Sequence, residues 1–227
     1  MTAPTPPIQR GVDLNDQVYE TLKERLLTRA FAPMEKLSLQ VLADEFGLSR
    51  SPVHHALTRL MVEGLVEQNQ RGYYARPITA ELMLGAHDVR CALELFAADQ
   101  TVGKLDQEQL AQLRALGQQT IDTVEREQFL DKRKYMLTNE AFHEYLVDLV
   151  GNEVLSATYR SLNVHRLMEQ TLASNIEAAG NSSEEHEMIV RAYERGDVQA
   201  ARAAIMANVE TGKRLALRAL EDAGGVL

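Results

Sequence analysis

The stretch LSRSPVHHALTRL, residues 48–60, carries two arginines and two histidines and no acid. It lies within Phe46–Val62, seventeen residues free of Asp and Glu in a chain whose formal charge is −9. Ser49 or Ser51 can cap a helix here, with Pro52 in the first turn, where a missing N–H costs little. Val53, Ala56, Leu57, Leu60 and Met61 recur at i, i+3, i+4, i+7 and i+8 and form its buried side. Ser51, His55, Thr58 and Arg59 are left outside, with His54 on the flank. A helix with cationic and hydrogen-bonding side chains near its N-terminus suits the major groove of DNA, where Asp or Glu would face phosphates. Arg50 can reach a guanine bidentately or a phosphate, and Ser51 can bond to either. His54 lies one turn past Arg50. Taken alone, the same residues suit the solvated face of a structural three-helix unit equally well, so the flanking segments decide.

Upstream, Val18, Leu22 and Leu26 recur every four residues between Leu14 and Thr28, which predicts a helix with one apolar stripe, ended by Phe31–Ala32–Pro33. Ser38 can cap a short second helix bearing Val41, Leu42 and Phe46, closed by Gly47. Downstream, Gly64 stops the third helix. LVEQ and YYAR then bracket Asn69–Gln70–Arg71–Gly72, two short extended runs about a glycine-containing turn with Arg71 at its tip. Three small helices followed by a hairpin is the order of a winged helix-turn-helix, and a wing beside a recognition helix adds backbone contacts. This favours DNA binding over the structural reading.

The run from Val18 to Ile78 resembles the N-terminal domain of GntR-family bacterial transcription regulators, above all in LADEFGLSRSPV, in AL-x-RL-x-x-EGLVE and in the glycine of the wing. The resemblance implies that Gln40, Arg50, Ser51 and the wing tip at Arg71 contact the operator. The chain departs from the family at His54–His55, where Arg–Glu is usual, and at Met34, where a turn glycine is usual; Ala30 stands where another often sits. An imidazole with an unperturbed pKa of ~6.5 replaces a permanent charge at His54. The expected operator therefore differs from the common one at the base read by His54, with affinity strengthening towards pH 6.

After Pro77 helical patterns continue. Thr79 can cap a helix containing Leu82, Met83, Ala86, Val89, Leu93 and Phe96, and further helices are expected at about 106–124, 128–150, 153–173, 183–195 and 197–222. Strand-like alternation is absent there, which predicts a single antiparallel bundle. Asn139 and His143 are i, i+4 on one helix face. His186 stands ten residues before Gly196 and Asn208 eleven after Asp197. If that Gly–Asp turn joins antiparallel helices, the two lie at one height, roughly 15 Å from it. Arg90 and Glu94 are also i, i+4, a local pair worth a few tenths of a kcal/mol.

The segments DVRCALELF, NEAFHEYLVDLVGNEVL and EEHEMIVRAYERGDVQAARAAIMANVE resemble the FCD effector domain of the FadR-type subgroup, over residues 79 to about 222. In many such domains an Asp and a His four apart, with two further His, hold a divalent metal over which a carboxylate effector sits. Position by position, His143 and His186 are kept, Asn139 replaces Asp and Asn208 replaces His. By this resemblance Arg90, Asn139, His143, His186 and Asn208 bind the effector, and His143, His186 and Asn139 are the candidate ligands of a zinc or nickel ion. An amide oxygen is a weaker ligand than a carboxylate, so a loosely held metal and a metal-free polar pocket are both open. His165 and Arg166 are further candidates to face the pocket.

Composition sets the remaining bounds. Residues 1–77 hold nine Lys/Arg and nine Asp/Glu, so the remainder carries the whole −9. A single cysteine, Cys91, excludes an internal disulfide and fits a reducing cytoplasm. No apolar run approaches a membrane span. The expectation is a mainly α chain: a tail at 1–12, a winged helix-turn-helix at 13–77 with a small β-hairpin wing, and an antiparallel all-α effector-binding and dimerisation domain at 78–227. Its expected role is a cytoplasmic, homodimeric, non-enzymatic regulator, a repressor by preference, with an operator duplex and a small carboxylate as partners. The alternatives are a small metal-dependent hydrolase using His143 and His186, and a helical adaptor binding protein through its acidic face. No HExxH and no nucleophile elbow supports the hydrolase.

Overall fold

The computed structural model describes residues 14–28, 30–125, 128–129, 132–162 and 178–226. The expected tail at 1–12, and His165 and Arg166, lie outside the described residues. The chain divides into two compact units, the first through Thr79 and the second from Ala80 to Gly225.

In the first unit, α1 (Leu14–Leu27), α2 (Leu39–Phe46) and α3 (Arg50–Val62) accompany a three-stranded sheet of β1 (Lys36–Leu37), β2 (Val66–Asn69) and β3 (Gly72–Ala75). The apolar stripe of α1 meets that of α3: Val18, Leu22, Val53, Ala56, Leu57 and Leu60 are all fully buried. Each buried Leu or Val contributes roughly 1.5–3 kcal/mol, so this seam fixes how α3 is presented. Arg59 belongs to the same junction, bonded to Asp16 at 2.5 Å and lying 3.7 Å over the Tyr19 ring. Ser38 caps α2, accepting from the Val41 N–H at 3.5 Å, and Gly47 closes it with φ +65°. Ser49 takes the N-cap position of α3 without a side-chain cap bond.

The sheet runs antiparallel in the order β1-β3-β2. Asn69 pairs with Gly72, which leaves Gln70–Arg71 as the hairpin loop. The third strand, β1, places Lys36 opposite Tyr74 and Leu37 opposite Tyr73. Two residues are too few for alternation to show in a sequence. Met34, which precedes it, holds φ +62°.

The second unit contains α4 (Ala80–Thr101), α5 (Gln107–Ile121), α6 (Lys132–Asp148), α7 (Glu153–Ser161), α8 (Ala178–Arg195) and α9 (Val198–Asp222). A two-residue hairpin, β4 (Val124–Glu125) with β5 (Gln128–Phe129), interrupts what the sequence reads as helix throughout. Asp106 begins α5 with a full capping box, its carboxylate accepting from Gln109 N–H while the Gln109 side chain accepts from Asp106 N–H. Gly196 at φ +66° and the Asp197 cap turn α8 back along α9. Pairs between α4 and α9 run in opposite directions, Lys213 to Asp88, Arg90 to Asn208 and Arg202 to Asp99, so these two helices are antiparallel.

Ala98, Leu113, Phe142, Leu146, Ile189 and Ile205 belong to the apolar core of the bundle. α5 and α8 approach closely there: a Cβ on Gly117 would lie 2.9 Å from Val190 Cγ2. The interior face of α4 differs in kind. Beside Met83, Ala97 and Ala98 it buries His87, Arg90, Glu94 and Thr101, while Val89 and Phe96 are exposed. A helix that turns charge inward and leaves apolar residues outside is organised around a site.

Candidate functional sites: a basic groove and a buried polar cluster

In the first unit, α2, α3 and the hairpin wall an open groove of about 410 Å³. Its lining includes Lys36, Gln40, Arg50, His54, Gln68 and Arg71 and, among the described residues, no Asp or Glu. Gln40 Oε1 accepts from Arg50 Nε at 2.5 Å, while its Nε2 donates to Asp44 at 2.7 Å, so the amide holds the arginine at the first turn of α3. His54 sits edge-on to Tyr73 of the wing, ring centroids 6.0 Å apart. The Arg71 N–H donates to Asn69 Oδ1 at 2.8 Å, which shapes the loop that carries its side chain.

Four of the five residues expected to meet DNA thus line one surface. The fifth, Ser51, is exposed on the first turn of α3 but is not part of the groove lining. Lys36 and Gln68 were not expected; only the third strand, invisible in the sequence, brings Lys36 to the wing.

In the second unit a polar cluster is sealed inside the bundle. Arg90, 2% exposed, donates from Nε to Glu94 Oε1 at 2.7 Å and from Nη2 to Asn208 Oδ1 at 3.0 Å. The same Nη2 stands 2.8 Å from His143 Nε2, which is 3.1 Å from His186 Nε2. A guanidinium only donates, so His143 accepts at Nε2 and carries its hydrogen on Nδ1. That Nδ1 lies 3.2 Å from Glu94 Oε1, an electrostatic contact rather than a well-aligned hydrogen bond. His186 must then donate from Nε2, and two donors converge on one lone pair.

Tyr159 donates to Glu94 Oε1 at 2.7 Å. Asn208 spans two charges, accepting from Arg90 and donating to Glu185 Oε2 at 3.2 Å, while Thr211 donates to Glu185 Oε1 at 2.6 Å. Phe142 packs edge-on against both imidazoles, with centroids 5.2 Å from His143 and 4.8 Å from His186.

Burial and charge set the protonation states. Burial opposes ionisation of Glu94, but the Arg90 charge outweighs it and holds the carboxyl well below the usual range. Arg90 likewise stays charged: burial opposes it, and Glu94 overcomes that. Burial, then the Arg90 charge, push the His143 imidazole down and keep it neutral. One turn before Arg90, His87 is pushed to about 3 by burial and then by Arg90. Both His87 ring nitrogens are buried without a hydrogen-bond partner among the described residues.

Of the expected effector residues, Arg90, His143, His186 and Asn208 meet directly. Asn139 is buried one turn before His143, with no hydrogen bond to the other four. The local Arg90–Glu94 pair also forms, buried rather than at the surface, so one guanidinium serves both readings. Tyr159, Glu185 and Thr211 join the cluster without any spacing signal.

A divalent metal fits this donor set poorly. Zinc or nickel needs the free Nε2 lone pairs of His143 and His186, at about 2.0–2.1 Å. His143 already spends its lone pair on a permanent cation that is itself buried and anchored. Among the described residues no group of three or more His, Cys, Asp or Glu is placed to hold a metal ion.

Comparison with known proteins fits this division. Residues 14–73 match the family model described as bacterial regulatory proteins, gntR family, and residues 86–211, more than half of the chain, match the FCD domain. The uncharacterised HTH-type transcriptional regulator YdhC of Bacillus subtilis is 28% identical over 65% of this chain and 65% of its own length. The HTH-type transcriptional repressor RspR of Escherichia coli K12 is 28% identical over 70% of this chain and 66% of its own. The chain thus spans about two thirds of the length of these relatives. The solved structure of E. coli McbR/YncC shares the fold with a TM-score of 0.68 at 21% identity, covering 91% of this chain and 98% of that one. The chain belongs to the GntR family of bacterial regulatory proteins, among the members that carry an FCD domain.

Proposed function

We propose that this protein is a DNA-binding transcriptional regulator whose helical domain senses a small organic acid. The observation that carries the reading is the groove at α3 and the wing. Among the described residues, three cations, an imidazole and two amides line it without a carboxylate, in a chain that is acidic as a whole. Arg50, held by Gln40, is aimed for a base edge or phosphate, and Lys36 and Arg71 flank it for the backbone. Ser51, exposed beside Arg50, is placed for a phosphate oxygen.

One such reading head supplies few contacts, so the acting form is a homodimer on paired half-sites. Membership of a regulator family argues against the hydrolase, and the repressor name of RspR supports repression as the outcome. No helix among the described residues is long and apolar enough to cross a membrane, which agrees with action on DNA in the cytoplasm.

In the bundle, an incoming carboxylate takes the Nη edge of Arg90 in place of His143 and Asn208, while Nε stays on Glu94. Released from the guanidinium, His143 and Asn208 then bond to the ligand's remaining polar atoms. Control requires two arrangements of the paired reading heads, with the effector favouring one of them.

The test is equilibrium binding of the full chain to mixed-sequence duplex DNA between 50 and 200 mM salt. Affinity should fall by about a thousandfold or more if some six phosphates are neutralised. R50A and R71A should each weaken binding and flatten that slope. Salt-independent or undetectable binding would overturn the reading.

A further inference from the structure

We infer that Arg90 stands where a metal ion would be needed in this pocket, so that the domain receives its carboxylate on a fixed guanidinium and works without metal. The inference rests on the proposed carboxylate-sensing role and adds the identity of the electrophilic centre. Nη2 of Arg90 lies 2.8 Å from His143 Nε2 and 3.0 Å from Asn208 Oδ1, so it occupies the point towards which those donors converge.

The guanidinium is held there from both sides. Nε is bound to Glu94 at 2.7 Å, and Glu94 is in turn held by Tyr159 at 2.7 Å. A dication at coordination distance from His143 Nε2 would press directly on this cation in a water-poor interior, where like charges repel most strongly.

Asn208 suits the organic cation better than the metal. Its carbonyl oxygen accepts from Arg90 while its amide nitrogen donates to Glu185, a use of both ends that coordination of a metal would not need. A neutral amide is also a weak ligand for zinc or nickel. The departures from the family's metal-binding pattern at 139 and 208 are therefore accounted for together. With the charge supplied by Arg90, neither a carboxylate nor a third imidazole is required. Glu94 balances the guanidinium at rest, and an anionic ligand is drawn to the cation's Nη edge.

The experiment measures metal content and melting temperature of the full chain after incubation with zinc or nickel chloride and exhaustive dialysis. Expected is no stoichiometric retention by the native protein, and a melting temperature indifferent to either metal or to chelator. R90A combined with N139D and N208H should retain metal and melt higher with zinc. Should that variant not fold, R90Q in the same background, which keeps a hydrogen-bonding stem without the charge, takes its place. Retention of about one equivalent by the native chain, abolished in H143A and accompanied by destabilisation on chelation, overturns the inference. Retention unaffected by H143A lies elsewhere and leaves it standing.

A parallel melt with acetate, lactate and citrate separates this inference from the reading beneath it. An acid that raises the melting temperature equally with and without chelator supports both. One that acts only with zinc present overturns the inference alone. If no acid acts while metal is still refused, the carboxylate role fails and the exclusion of metal by Arg90 holds.

Discussion

His54 and Lys36 share one groove but would do different work on DNA. His54 projects from the helix that enters the groove, one turn past Arg50, and its imidazole can exchange a specific hydrogen bond with a base edge. Lys36, on β1 at the wing, offers a point charge suited to phosphate. H54A should relax discrimination at one base position per half-site, at a cost of about 1 kcal/mol for the preferred base. K36A should weaken all sequences alike and lower the salt slope by about one. A binding-site selection on both variants checks this; uniform weakening by H54A would make it a phosphate contact. Met34 makes a separate, structural point. With φ +62° it holds a conformation in which a Cβ costs about 1 kcal/mol. M34G should stabilise the first unit by about 0.5 kcal/mol once the added freedom of the unfolded chain is subtracted, read as a higher urea midpoint at unchanged slope.

The element that most resisted a reading from sequence is α4. Leu82, Met83, Val89, Leu93 and Phe96 suggest an apolar stripe, yet Val89 and Phe96 face outwards and the buried side carries His87, Arg90 and Glu94. Periodicity reports which residues avoid water on average. It fails where a helix lines a functional interior, because charge there is stabilised by partners on other helices. The third helix was legible for the opposite reason: Val53, Ala56, Leu57 and Leu60 obey one period and all are fully buried. His186 and Asn208 could be placed at one height from the Gly196 turn, and His143 on one helix face with Asn139, but only the family resemblance brought these pairs together. Tyr159, Glu185 and Thr211 reach the cluster only through the packing of α7, α8 and α9. The strands β1, β4 and β5 left no trace, since two residues carry no alternation. The Arg90–Glu94 pair supplies the prediction at this scale. E94Q removes the charge that balances a buried guanidinium and should destabilise the second unit by about 3–5 kcal/mol, far beyond the few tenths of a surface i, i+4 pair. A loss below 1 kcal/mol in denaturant unfolding would mean that water reaches Arg90.

Across the whole molecule, acid should act on the two units unequally, because the buried imidazoles lie in only one of them. His54 and His55 of the first unit are exposed, whereas His87, His143 and His186 are buried in the second. The His87 pKa is lowered to about 3 by burial and then by Arg90, and burial likewise lowers that of His143. A histidine with a depressed folded pKa binds fewer protons folded than unfolded. Its full stabilising contribution is present above the unfolded value of ~6.5 and is lost as pH falls below it. Glu94, also depressed, adds to the loss only below the ordinary carboxylate range. Glu185 works the other way: burial raises its pKa against the bonds from Thr211 and Asn208, so its protonation favours the folded state as pH falls. Between pH 6.5 and 5 the imidazoles dominate, and His87 alone should lower the stability of the second unit by about 2 kcal/mol. Hydrogen exchange at pH 7 and pH 5, corrected for intrinsic rates, should show protection falling across Ala80–Gly225 and holding across the α1–α3 core. Replacing the ring by an aliphatic side chain, H87L, should flatten the pH slope of the second unit by roughly 1.4 kcal/mol per unit, the value for one proton. An unchanged slope in H87L would mean that the imidazole already finds a proton partner in the folded state, and its two bare ring nitrogens would need another explanation.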